Sequence, residues 1–396
     1  MNSSRIKNLQ LSLQIPVLIK KKENLLYLTG RSFMHGYLLV QPRQINADRK
    51  RINTEVVFLG DGLEKIEGVK ADFLKNVGKY IGKKETLEVF GDFTYAEVRY
   101  IRSRNKELGV KISVKRDPVD YLRMIKEPGE IAQVKKSMQI VERVFGEVRK
   151  KLRSAGPRPA LTESQLAQFI QSTGLKMGAH DVSFPAIVAS GVNAAVPHHV
   201  PSAKRLKPGE SIILDFGFKC KGYCSDFTRT VFLKKVPKRL EMAYNQVEKA
   251  YWGSIEYINQ RNSLGGGEAR RGNRIRESGP FSGGRIAPRA ALPSNAKMLT
   301  GNDVYQRSVD ILAEKHLDKY FIHSLGHGTG LEIHELPNLS PNSKDIMRDN
   351  MVFSIEPGVY IKGLGGIRIE DLVYLENGQV KKFINVPTLI NNGIIK

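Results

Sequence analysis

Cysteine and tryptophan are nearly missing from this chain of 396 residues, which has two of the first and one of the second. Two thiols cannot build a disulfide scaffold, so a chain of this length must rest on its hydrophobic core. Cys220 and Cys224 lie in one short segment without further ligands at zinc-site spacing. Free thiols in a reducing compartment are the expectation. Long apolar runs are missing as well: none approaches the ~18 residues of a membrane helix. The opening stretch MNSSRIKNLQLSLQIPVLIKKK lacks the apolar core of a signal peptide. A cytoplasmic protein without a membrane partner is therefore expected. Acid is scarce, with 40 Asp and Glu against 63 Lys and Arg, for a net charge of +23. That excess suits polyanions. Yet the basic residues are dispersed and carry no nucleic-acid-binding motif, so no specific nucleic-acid partner is expected.

The length fits about two domains. Residues 1–124 alternate strand-like runs (LLYLT, GYLLVQ, EVVFLG, LEVFGD, VKISVK) with helical stretches near Lys65–Ile81 and Tyr95–Leu108. That pattern predicts a small α/β domain. From Glu130, Val134, Met138, Val141, Phe145 and Val148 recur at the spacing of one buried helix face. A second helix is expected over Thr162–Gly174, opened by a Thr-Glu-Ser-Gln capping box. Helices then alternate with hairpins, giving an α+β domain over 125–396. Residues 262–298 interrupt it after the helix Leu240–Asn259. Rich in Gly, Arg, Ser and Pro and poor in aromatics, they are expected to form a disordered surface loop. The alternative role is an Arg-rich tether for RNA or a partner.

The chemistry concentrates in the last half. IILDFGFKCKGYCSDFTRTVFL reads as a β-hairpin whose turn centres on Cys220 and Lys221, with Gly222 free to take a positive φ. That register sets Asp215 opposite Asp226 on one face, with Cβ atoms about 5 Å apart. MVFSIEPGVYIKGLGGIRIEDLVYL repeats the device, with Glu356 opposite Glu370. Two like charges 4 Å apart repel by roughly 4 kcal/mol at an effective dielectric of 20. A shared proton could relieve one such pair; two converging pairs call for cations. A third segment, FIHSLGHGTGLEIHELP, holds His323, His327 and His334. His323 and His327 have the spacing of a zinc-protease helix, but Ser324 stands where its glutamate is needed. Gly326, Gly328 and Gly330 favour an irregular strand and turn instead.

These segments together resemble the metallopeptidases of the pita-bread fold, in their Xaa-Pro aminopeptidase and Xaa-Pro dipeptidase (prolidase) branch. The likeness lies in LDFG, SDFTRT, GHGTGLEIHE, IEPGVY and RIED, in that order, and in the junction VDYLRMIKEPGEI. It implies a pita-bread (creatinase/aminopeptidase-like) catalytic domain preceded by a smaller creatinase N-terminal-like α/β domain. It also implies five metal ligands. Asp226 and Glu370 would bridge two ions, Asp215 would hold one, and His327 and Glu356 the other. Oxygen-rich ligation favours Mn²⁺, with Co²⁺ or Zn²⁺ as substitutes. A metal-bridging hydroxide would attack the carbonyl before proline, with Glu356 as ligand and proton shuttle. The resemblance further implies substrate-side roles for His198 (ahead of His199) in SGVNAAVPHHV, and for His323 and His334. Arg368, on the strand face of Glu370, would fix a ligand or a substrate group. Proline-containing peptides or dipeptides are the implied partners, and homodimers are common in the family. The alternatives are methionine-aminopeptidase-like activity and a non-catalytic pita-bread protein binding peptides, histones or RNA. Creatine-type hydrolysis on the same fold dispenses with the ligands this chain retains.

Overall fold

A computed structural model describes residues 3–13, 15–32, 36–42, 56–60, 70–81, 86–90, 92–106, 109–112, 117–154, 161–264, 281–282, 285–286 and 298–395. The chain divides into two units, Met1–Arg123 with Arg271–Leu292, and Met124–Arg270 with Pro293–Lys396. In the first, six strands form one sheet in the order Lys70–Phe73, Val56–Gly60, Tyr37–Val40, Val17–Ile19, Thr86–Val89, Gly109–Ile112. Leu18, Leu39, Val57 and Leu87 from its strands close a core with Val98 and Ile101 of the helix Tyr95–Arg104.

Two local expectations fail in this unit. LLYLT is the second half of the helix Lys22–Thr29, which ends at Gly30 with φ 74°. An apolar run of five residues satisfies either period, and Leu25 and Leu28 share a buried helical face. Within the expected helix Lys65–Ile81, Lys70–Phe73 is a strand and Leu74–Tyr80 a 3-10 helix. Parallel pairing with Val56–Gly60 overrides the local preference there. Residues 65–69 fall outside the described residues.

Asp117 opens the helix Pro118–Met124 by accepting the Val119 N–H at 2.9 Å. Burial, joined by the charges of Asp120 and Asp92, pushes its carboxyl up to about 7, against a hydrogen bond from Asn24. Below about pH 4 this group is neutral in folded and unfolded chains alike. Between there and pH 7 only the unfolded chain ionises, so stability falls as pH rises. Asp117→Asn keeps the capping oxygen. It should raise the melting temperature at pH 8 by several degrees and leave it unchanged at pH 4, as calorimetry can show.

The second unit is built on a nine-stranded sheet. Its main path runs Glu335–Leu339, Gly326–Gly328, Val352–Ile355, Glu370–Glu376, Phe227–Leu233, Ser211–Asp215, Ile187–Ser190. The helix Pro128–Ser154 lays its predicted stripe on this sheet, with Val134, Met138, Val141, Phe145 and Val148 all buried. Phe145 meets Phe227 edge-on at 5.3 Å, and Phe227 meets Phe216 at 5.6 Å. The capping box forms as expected, with Thr162 and Gln165 closing the start of Glu163–Lys176. The helix expected over Leu240–Asn259 runs further, Lys238–Leu264. Of the stretch 262–298, the part described beyond Leu264 is a two-residue ladder between Phe281–Ser282 and Arg285–Ile286, and Met298. The disorder expected of this stretch otherwise concerns residues outside the described set. Among the described residues, no helix is long and apolar enough to cross a membrane.

The hairpin registers position the site. In the first, Lys221 and Gly222 take φ of 47° and 86°, so the turn centres one residue later than expected. Positive φ at both central residues matches the twist of the flanking strands. Cys220 therefore faces Tyr223, and Asp215 faces Thr228 instead of Asp226. The shift is two residues at Asp215, and an even shift keeps Asp226 on the same face. Both thiols are free, as expected, and both are buried. The second hairpin keeps its expected register through two successive ladders. Ile355 pairs with Asp371 and Gly358 with Arg368, which sets Glu356 across from Glu370. Glu370 is also the partner of Thr228 on its other side. One strand thus joins both hairpins.

Candidate metal centre

That shared strand delivers the acids to one place. A cavity of about 570 Å³ is lined by Asp215, Asp226, His327, Glu356 and Glu370, all buried or nearly so. Ligand atoms of Asp226, His327 and Glu370 all lie within 4.8 Å of one another. His327 Nε2 stands 3.5 Å from Asp226 Oδ2 and 3.3 Å from Glu356 Oε1. Its Nδ1 faces the Gly328 carbonyl at 3.1 Å, which fixes the ring with Nε2 toward the acids.

Asp215 is held from behind. Its Oδ2 pairs with the Arg368 guanidinium, while Oδ1 is buried without a hydrogen-bond partner. Arg368 is 3% exposed and donates to Tyr360 Oη at 2.8 Å, Thr228 Oγ1 at 3.2 Å and the Pro197 carbonyl at 3.3 Å. The expectation that Arg368 would fix a ligand or a substrate group thus meets a contact with a ligand candidate. Thr228 Oγ1 also donates to Glu370 Oε2 at 2.6 Å.

Burial, then the charges of Glu370 and Asp215, pushes Asp226 well above the usual carboxylate range. Burial, then Glu356 and Asp215, does the same to Glu370. Glu356 goes the other way. Burial would raise it, but its hydrogen bond and charge interaction with His327, joined by His323 and Arg368, hold it down to about 2. Burial likewise opposes the His327 cation, and Glu356 outweighs it. The arrangement is one of carboxylates crowded around too little positive charge. A buried oxygen with no donor and three ligand atoms at coordination spacing fit divalent cations.

The glycines beside His327 explain the close approach. A Cβ on Gly326 would sit 2.0 Å from the Ser354 carbonyl oxygen, and one on Gly328 would sit 2.0 Å from that of Leu336. Gly326→Ala must push His327 out of line and should lower bound metal per chain, measured by elemental analysis after gel filtration. Unaltered metal content would show that the strand can shift without cost.

The remaining histidines separate by role. His323 is nearly buried, its Nδ1 at 2.7 Å from the Ser324 carbonyl and its Nε2 at 2.9 Å from Tyr360 Oη. Burial pushes its pKa down. His334 stacks edge-on against His327 at 4.2 Å and borders the cavity. His198 and His199 both border the cavity; His198 is exposed there, and His199 turns its Nε2 to Glu163 at 2.9 Å. Sequence reasoning passed over Tyr360, Thr228 and Ser354. Ser354 Oγ accepts from the His327 N–H at 3.1 Å and donates to Glu356 at 3.2 Å. Alternation was the available signal, since Thr228 lies two residues from Asp226 and Ser354 two from Glu356.

Comparisons with known proteins converge on this architecture. The family described as metallopeptidase family M24 matches residues 132–269 and 289–377. The chain is similar to a putative Xaa-Pro aminopeptidase of Mycoplasma pneumoniae, with 31% identity over 367 residues, covering 91% of this chain and 90% of that protein. It is 29% identical to the Xaa-Pro dipeptidase of Pyrococcus furiosus, with 91% of each covered. Among solved structures, the prolidase from Pyrococcus horikoshii OT3 superposes with a TM-score of 0.76 at 23% identity, covering 98% and 99% of the two chains. An Xaa-Pro dipeptidase from Bacillus anthracis gives 0.76 at 25% identity, covering 97% and 98%. With acids, histidine and hairpins arranged as above, this chain belongs to metallopeptidase family M24 and is a hydrolase of the pita-bread fold.

Proposed function

We propose that the chain is a dinuclear metal-dependent exopeptidase that releases the N-terminal residue from Xaa-Pro peptides or dipeptides. The observation that carries this reading is the convergence of Asp226, His327 and Glu370 within 4.8 Å, beside Glu356 and the unpartnered Oδ1 of Asp215. Asp226 and Glu370 would be shared between two ions, with Asp215 serving one and His327 and Glu356 the other. Mn²⁺ is the metal we propose for so oxygen-rich a set. When bound, such ions supply water activation and polarisation of the scissile carbonyl.

The chain's own residues do the rest. Arg368 opposes the rise that burial imposes on the Asp215 carboxyl and holds it in place, and Ser354 orients Glu356. Held ionised at neutral pH, Glu356 can accept a proton at its carboxylate and return it to the leaving nitrogen. His198 and His334 border the cavity where a substrate backbone would lie. The names of the relatives, Xaa-Pro aminopeptidase and Xaa-Pro dipeptidase, support proline after the scissile bond. The two free, buried thiols support a reducing compartment, and we place the protein in the cytoplasm.

Purified protein stripped with EDTA should lose turnover of Xaa-Pro peptides and regain it with Mn²⁺ more fully than with Zn²⁺. Release of methionine from Met-Ala in preference to Xaa-Pro cleavage would favour the methionine-aminopeptidase reading. Full activity after verified metal removal would reject both.

A further inference from the structure

Another buried carboxylate outside the acid cluster lies at the first turn of the helix Glu163–Lys176. The Glu163 side chain is 0% exposed, yet among the described residues none of its partners is a lysine or arginine. It collects donors from a single segment instead. Ser190 gives its N–H and its hydroxyl, both at 2.7 Å, and Asn193 gives its amide at 3.1 Å to both oxygens. His199 Nε2 stands at 2.9 Å, and Ser202 adds its N–H at 3.1 Å and its hydroxyl at 2.6 Å.

These donors bracket residues 190–202, an irregular stretch with a 3-10 turn at Gly191–Ala195. Such a stretch has few backbone bonds of its own, so its shape depends on outside acceptors. One anion with this many donors is a strong local anchor, and the helix N-terminus adds its dipole. Burial alone would raise the Glu163 pKa, but the donors from Ser202, Ser190 and His199 hold it down to about 2. The segment stays tied across the working pH range. The other side of the segment is gripped at the Pro197 carbonyl by Arg368, the residue that holds Asp215.

We propose that Glu163 is a positioning residue: by drawing His199 inward and tying Ser190, Asn193 and Ser202, it sets His198 on the cavity wall. His198 and His199 both border the cavity, and the turn closed by the His199 N–H on the Val196 carbonyl at 3.2 Å makes the place of His198 follow the anchoring of His199. The inference rests on the peptidase reading for its kinetic consequence, but not for its structural one.

The test uses the metal-loaded enzyme and Xaa-Pro peptides. Glu163→Gln keeps the size but points N–H groups at donors. It should lower kcat/KM by roughly 10–100-fold, the range for groups that orient others at a site, while bound metal per chain stays unchanged. Because the effect passes through His198, the double variant Glu163→Gln with His198→Ala should be within about twofold of His198→Ala alone. Losses that multiply, or an unimpaired Glu163→Gln, would overturn the proposal. If Glu163→Gln does not fold, Asn193→Ala removes two of the ties and should give the same non-additive pattern. Hydrogen–deuterium exchange supplies a readout independent of substrate. Exchange over 190–202 should quicken in the variant while the helix Pro128–Ser154 is unchanged. Unchanged exchange there overturns the proposal; quickened exchange in a protein that cleaves no Xaa-Pro peptide sustains it and rejects the peptidase reading alone.

Discussion

Glu370→Gln should leave a folded protein that has lost at least one metal ion and at least about 10³-fold in turnover. The magnitude follows from the several kcal/mol of transition-state charge stabilisation that a catalytic metal supplies, at 1.36 kcal/mol per tenfold. Glu370 lies between the two hairpins, paired with Thr228 on one strand while its successor Asp371 pairs with Ile355 on another. Its side chain joins the cluster with Asp226 and His327. Glutamine preserves the shape and the Thr228 hydrogen bond but removes the charge, so the sheet should survive. Asp226→Asn should behave alike. Elemental analysis with circular dichroism and steady-state kinetics on one preparation decides the matter. Wild-type turnover in either variant would remove the two-metal assignment.

Arg229→Met should lower stability by about 3–5 kcal/mol, the usual cost of breaking a buried ion pair from one side. The guanidinium is 2% exposed and pairs with Asp371 at 2.9 Å. It also donates to the carbonyls of Glu370 at 2.7 Å, Thr228 at 2.9 Å and Val386 at 2.9 Å. Loss of the arginine would strand those oxygens behind the strand that carries Glu370. Tyr251 at 2.6 Å and Lys382 at 2.8 Å would still serve the other oxygen of Asp371, so the loss is large but bounded. Urea midpoints would show it. Arg229→Lys should recover only part, because three donors on a flexible stem cannot reproduce a planar fork of five.

The acids of the second hairpin were legible because Glu356, Glu370 and their turn obey one register without interruption. The first hairpin was legible only to within its turn. Sequence periodicity shows that Asp215 and Asp226 share a face, whereas the partner of each depends on which two residues take positive φ. Lys221 gave no warning, since lysine seldom adopts that conformation. LLYLT was misread because five apolar residues suit a strand and a buried helix face equally. Glu163 stands in the first turn of its helix, where an acid is ordinary, and nothing local announces that this carboxylate will gather donors from a segment some thirty residues on. The His198 and His199 pair is ambiguous in the same way until that acceptor is placed.

The Thr228 hydroxyl has a single hydrogen and sits among the Arg368 Nε–H at 3.2 Å, Glu370 Oε2 at 2.6 Å and the Asp215 carboxylate. An arginine N–H can only give, so the threonine hydrogen turns to a carboxylate, and the 2.6 Å contact directs it to Glu370 Oε2. Oε2 is therefore committed to receiving, and any proton that Glu370 carries resides on Oε1. An arriving cation would expel that proton from one known atom, with no hydroxyl behind it needing to rotate.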